Sequence, residues 1–204
     1  MTALAAAVAH EVRNPLNALG LTLARLSPTA DATGRGAAHA DAQSLVCEVD
    51  GIVDRFLDVA RVPIPEMAET PLGPLLEGVR LEAALGGLEV AVQCEALVAL
   101  VDGRLLRQAL RNLVTNAAQA GANRMDVLVS SGAGTVSVLV SDDGSGVPTD
   151  LAPHLFDWFE TTRALGTGLG LPMARRAIHA MRGDLVVVAL RPATFLITLQ
   201  GSRS

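Results

Sequence analysis

Chemistry enters this chain early, at His10-Glu11-Val12-Arg13-Asn14-Pro15-Leu16. His10 and Asn14 are four residues apart, so on a helix they share a face, with Glu11 about 100° around the axis. A histidine of ordinary pKa, about 6.5, is mostly uncharged at neutral pH and carries a free lone pair. Such an imidazole is a competent nucleophile toward phosphorus. Glu11 can accept from Nδ1–H, fixing the tautomer and stabilising positive charge as Nε2 attacks. Asn14 can hold a water or a phosphoryl oxygen. Pro15 cannot donate to the Glu11 carbonyl, so a bend is expected beside the acceptor.

Three further stretches give this one a donor. In Asn112-Leu113-Val114-Thr115-Asn116, the amides fall with Gln108 and Gln119 on roughly one quarter of a helix, opposite Leu106, Leu110, Leu113 and Ala117. Asn116, helped by Asn112, can offer a carbonyl oxygen to Mg²⁺, a cation that takes oxygen ligands and leaves much of its shell to phosphate and water. A stripe of amides can equally be a solvated face. In Asp142-Asp143-Gly144-Ser145-Gly146, Asp142 can accept from an adenine amino group, while Gly144 and Gly146 let backbone approach a flat base. An ordinary turn has the same composition. Gly166-Thr167-Gly168-Leu169-Gly170-Leu171 runs into a helix whose N-terminus can meet phosphates, with Arg163 as the nearest cation. The spacing also resembles part of a dinucleotide fingerprint, but the strand that should precede it is absent: Phe156 to Leu165 reads as irregular. A histidine, then an amide helix, then two glycine loops describes a phosphate acceptor joined to a nucleotide site.

The elements that must hold these residues follow from periodicity. Thr2 to Leu26 and His39 to Val62 read as two amphipathic helices around a turn rich in Pro28, Gly34 and Gly36. One such hairpin covers too little of its own apolar surface, so a second copy is expected to complete a four-helix bundle. Pro63-Ile64-Pro65 stops the second helix, and residues 63–71 read as a linker. From Leu72 onward helices at Leu72–Leu85, Arg104–Ala120 and Gly170–Met181 alternate with strands. The strands are Leu88–Cys94, Leu97–Val101, a hairpin Met125–Ser130 and Thr135–Val140, and a last hairpin Leu185–Leu190 and Thr194–Leu199. The fold class is therefore α+β: a helical hairpin over residues 1–62, then an α/β sandwich over 72–204 with helices on one face of a mostly antiparallel sheet.

Composition narrows the partners. The net charge is −5, which argues against nucleic acid as a ligand, and all 16 basic residues are arginine. Any phosphate grip must use arginine, amides, backbone N–H or a metal. Cys47 and Cys94 match no metal or redox spacing and read as reduced thiols of a cytoplasmic protein. No apolar run approaches the roughly 18–20 residues of a membrane helix.

These motifs resemble the sensor histidine kinases of bacterial two-component systems over nearly the whole chain. His10 to Leu16 looks like the H box, Asn112 and Asn116 the N box, Asp142 to Gly146 the first G box, Phe156 to Phe159 the F box, and Gly166 to Leu171 the second G box. Asn116 to Ala120 and the short interval from Thr162 to Gly166 are most similar to the nitrogen-regulation-type subgroup with a short ATP lid. The resemblance implies a dimerisation and histidine-phosphotransfer domain followed by an ATP-binding domain of the kind shared with gyrase, Hsp90 and MutL. It implies ATP and Mg²⁺ as cofactors and a homodimer that phosphorylates His10. It also implies transfer to an aspartate of a response-regulator receiver domain, and a phosphatase role for Asn14. Three departures stand out: Asp143 in place of the usual asparagine, Trp158 and Glu160 around the F box, and a start only nine residues before His10 with no sensor domain. The altered F box supports a second reading, a phosphorelay adaptor whose ATP-binding domain is degenerate.

Overall fold

The computed structural model describes residues 15–22, 39, 41–46, 49, 63–95, 97–161 and 168–201. The chain divides into two compact units, Met1–Val62 and Pro63–Ser204. In the first, residues 15–22 and 41–46 are helical, with Pro15 and Ala42 buried. His10, Glu11 and Asn14 lie outside the described residues.

The second unit begins before the first helix that periodicity indicates. Residues 68–71, part of the stretch read as a linker, form strand β1 (Ala68–Pro71), which pairs antiparallel with β3 (Val98–Val101). The sequence Ala-Glu-Thr-Pro has no alternation to announce a strand, and only the partner supplies its ladder. Pro71 then leads into α1 (Leu72–Leu85), whose first N–H donates to the Leu97 carbonyl at 3.0 Å. Leu72, Leu75, Leu76, Val79 and Ala83 are its buried stripe.

Helix α2 (Gly103–Gln119) carries a second stripe, Leu105, Leu106, Ala109, Leu110, Leu113 and Ala117. Its N-cap is Asp102, whose carboxylate accepts from the N–H groups of Arg104 and Leu105 at 2.9 and 3.2 Å. The same carboxylate accepts from Glu66 N–H at 3.0 Å, fastening the residues that lead into β1. Burial opposes its ionisation, but these three N–H groups and the Arg104 guanidinium outweigh burial and hold its pKa below the usual value.

Five strands make the main sheet: β2 (Glu89–Cys94), β4 (Arg124–Gly132), β5 (Thr135–Asp142), β6 (Asp184–Leu190) and β7 (Ala193–Gln200). Their order is β2-β4-β5-β7-β6, antiparallel except for the parallel pair β2–β4. The β4–β5 hairpin closes through Ala133-Gly134, both at positive φ (49° and 76°), the geometry of a type I′ turn. Alternation is clean: Val127, Val129, Val136, Val138, Val140, Phe195 and Ile197 are buried beneath the helices. The opposite face carries Leu128, Leu139 and Leu196 in cross-strand register among short polar side chains. Helix α3 (Gly170–Ala180) packs against α2 and leads into β6. The core thus lies between three helices and one face of the sheet.

Candidate functional site

The first glycine loop is built against the end of α2. Asp142, the last residue of β5, is buried, and its Oδ1 accepts from Gly144 N–H at 3.0 Å. That short turn brings Ser145 N–H to the Ala120 carbonyl at 3.0 Å. A Cβ on Gly144 would stand 2.9 Å from the Ala120 Cβ. On Gly146, at φ 80°, it would stand 2.5 Å from the Leu190 carbonyl oxygen. Val147 N–H donates to that same oxygen at 2.9 Å. Both glycines are therefore demanded by protein packed against the loop, a reason the sequence, read for approach to a base, did not contain.

Asp143 points elsewhere. Its Oδ1 accepts from the N–H groups of Asn123 and Arg124 at 2.8 and 2.9 Å, tying the α2–β4 turn to the end of β5. The Arg124 N–H is the largest influence lowering its pKa, with burial opposing and the Asn123 N–H assisting. Its charge is engaged by these backbone donors. The partners lie 19 and 20 residues upstream, so no local signal could have shown this.

The second glycine loop differs in kind. Gly168 is at φ 62°, and a Cβ there would stand 2.4 Å from the Phe159 carbonyl carbon. Its carbonyl accepts from Phe159 N–H at 3.0 Å, with Phe159 itself left-handed at φ 68°. The two ends of the segment between them are thereby joined. Arg163, Gly166 and Thr167 lie outside the described residues.

From Gly168 the chain passes through buried Leu169 into α3. Among the described residues no side chain caps that helix. At Gly170 a Cβ would meet nothing closer than Asn112 Oδ1, at 3.9 Å. Asn112 is half-buried on α2, and its Nδ2 is buried with no hydrogen-bond partner among the described residues. A buried amide without a partner costs about 1–3 kcal/mol. Beside an uncapped helix N-terminus it suits an anionic oxygen, such as that of a phosphate. Asn116, one turn further along α2, is also half-buried. Among the described residues no three His, Cys, Asp or Glu side chains gather as a metal site. Neutral amide oxygens suit an ion whose shell is completed by phosphate and water, which fits Mg²⁺. The structure thus brings Asn112 next to Gly170, packs Gly144 against the C-terminal end of the same helix, and sets Gly146 against the carbonyl of Leu190.

One feature escaped the motif reading. Arg175 on α3 lies over the ring of Phe156, 4.8 Å from its centroid. The pair is 19 residues apart, and each residue alone is unremarkable in sequence.

Comparison with known proteins converges on one group. The family model described as histidine kinase-, DNA gyrase B- and HSP90-like ATPase matches residues 101–203. The signal transduction histidine-protein kinase AtoS of Escherichia coli (strain K12) is 32% identical over 96% of this chain, and the chain spans 34% of its length. The crystal structure of full-length ShkA in complex with AMPPNP is 27% identical with a TM-score of 0.67, covering 100% of this chain and 47% of that one. Histidine kinase ThkA, solved in complex with response regulator protein TrrA, shares the fold at a TM-score of 0.78 and 23% identity, covering 97% of this chain and 61% of that one.

Proposed function

We propose, for a chain that belongs to the histidine kinase-, DNA gyrase B- and HSP90-like ATPase family, that it is the transmitter core of a two-component sensor kinase. In this reading Pro63–Ser204 binds ATP and the first unit presents His10 as acceptor. The phosphoryl group then passes to an aspartate of a response-regulator receiver domain. The observation that carries it is Asn112, whose Oδ1 lies beside Gly170 at the start of α3 and whose buried Nδ2 has no partner among the described residues, in the domain that matches the family model. The likeness to AtoS extends through the region of His10, which supports joining the acceptor to that domain.

The roles follow from position. Asp142, buried at the end of β5 and oriented by Gly144 N–H, takes the adenine amino group. Gly168, Leu169 and Gly170 offer backbone to the phosphates, with Arg163, Gly166 and Thr167 assigned from the motif alone. Mg²⁺, held through Asn116 with Asn112 alongside, would neutralise charge on the phosphoryl group as it transfers. Glu11 orients His10, and the imidazole Nε2 takes the phosphoryl group in line. Asn14 places water for the phosphatase reaction, in which the phosphoryl group passes to water and leaves as phosphate. A homodimer, through a four-helix bundle of two first units, supplies the scaffold. Among the described residues no helix is long and apolar enough to cross a membrane, and a cytoplasmic site of action suits a kinase that uses ATP.

Intact mass at neutral to alkaline pH after incubation with Mg-ATP tests the assignment. One added phosphoryl group, lost in acid and absent from His10→Gln, is the expected result. A folded protein that gains no mass would overturn the kinase reading. The Asn116→Ala variant is expected to lose phosphorylation while remaining a dimer.

A further inference from the structure

The lid-side end of the nucleotide domain is closed by a circuit of contacts. Phe156 lies under Arg175; three residues on, Phe159 N–H donates to the Gly168 carbonyl. Two residues after Gly168 the chain enters α3, and five residues further, about one and a half turns, α3 presents Arg175 back to Phe156. The loop of contacts starts and ends on the same guanidinium. The approach to Phe159 is also held by Leu155 in the core and by Leu151, Ala152 and Phe156 packed against it, with the Arg175 contact the one that ties it to α3 through a side-chain cation. Leu155 is buried, one 3₁₀ turn spans Ala152–His154, and the His154–Asp157 pair is exposed.

Arg175 lies as a plane over the Phe156 ring and makes only a long ion pair with Asp184. Its Nε is buried with no hydrogen-bond partner among the described residues; the ion pair to Asp184 Oδ1 is long, at 3.9 Å, and that oxygen also bonds His179 Nε2 at 2.9 Å. The guanidinium thus has two partners, the Phe156 ring and a long ion pair, and its Nε makes no hydrogen bond among the described residues that would draw it off the ring.

We infer that Arg175 is a positioning residue: by clamping Phe156 to α3 it fixes where Gly168 to Gly170 stand opposite Asn112, and so sets ATP affinity without touching ATP. The inference rests on the kinase reading for its ATP readout.

A double-mutant cycle on the full chain tests it, using Arg175→Ala, Phe156→Leu and the pair, with Arg175→Lys as the conservative control. Arg175→Ala and Phe156→Leu are each expected to raise the KM for ATP about fivefold, the scale of a partly desolvated cation–π contact, with kcat and melting temperature little changed. The pair is expected to be no worse than the worse single variant, and Arg175→Lys to recover most of the loss. Trp158, the only tryptophan, lies two residues from Phe156. Its quenching by acrylamide is expected to rise in both single variants and no further in the double. Additive losses, an unmoved KM with unmoved quenching, or a fall in melting temperature that lysine does not rescue would each overturn the inference. A wild-type chain that forms no phosphohistidine overturns the kinase reading instead, and the quenching cycle then decides the role of Arg175 by itself.

Discussion

The two glycine loops look alike in sequence and do different work. In the first, Gly144 and Gly146 are pressed against Ala120 and the β6–β7 turn, so their missing Cβ atoms are filled by protein. In the second, a Cβ on Gly170 would make only ordinary contact, with Asn112 Oδ1 at 3.9 Å, among the described residues. Gly168 stands between the two cases, jammed against Phe159 at one end of the segment it closes. A glycine that makes room for the fold and a glycine that makes room for a ligand are indistinguishable by spacing. Only what stands opposite tells them apart.

That contrast is open to attack by substitution. Gly146→Ala should cost the most, about 3 kcal/mol or more, since it adds both a backbone clash at 2.5 Å and an unfavourable positive φ. Denaturant unfolding measures it, and a loss under 1 kcal/mol would mean the loop yields easily. Asn112→Leu should do the reverse: about 1–2 kcal/mol of added stability in the absence of nucleotide, from removing an unsatisfied amide, together with loss of ATP binding. Calorimetry beside thermal melting separates the two effects, and a destabilised variant would show that the amide is satisfied after all. Gly170→Ala should raise stability by about 0.5–1 kcal/mol, because alanine suits a helix better, while weakening ATP binding. Equal damage from Gly170→Ala and Gly146→Ala would erase the distinction between the loops.

The smallest effect concerns Asp143, beside the first loop. Its carboxylate has a folded pKa below the ordinary 3.8, so its contribution is present above that value and is lost as pH falls through the folded pKa. The melting difference between wild type and Asp143→Ala should hold from neutral pH to about pH 5 and close in stronger acid. Asp143→Asn, which keeps an acceptor oxygen, should lie near wild type throughout. A gap that persists unchanged in strong acid would show that the carboxylate charge is irrelevant to the turn.

Much of the architecture was legible because it is written in local repeats. The stripes of α1 and α2 and the alternation of β4, β5 and β7 recur at fixed periods, and a period needs no partner to be seen. The strand β1 was not legible, since Ala68–Pro71 acquires its ladder only from β3. Within the site, Asn112, Asp142 and Gly170 were visible as types at suggestive spacings. The reason for Gly146 was not, because it lies in the carbonyl of Leu190, and neither was the engagement of Asp143 by backbone 19 and 20 residues away.

The sequence by itself determined the order of the motifs, the elements that carry them and the absence of lysine, because composition and periodicity are properties of the chain alone. Which glycine is pressed hard against protein and which meets only ordinary contact was decided only by the tertiary structure. So were the pairing of Arg175 with Phe156 and the isolation of the Asn112 amide. Each is a relation between surfaces that meet on folding, and the free energy of such a meeting is not encoded at either residue separately.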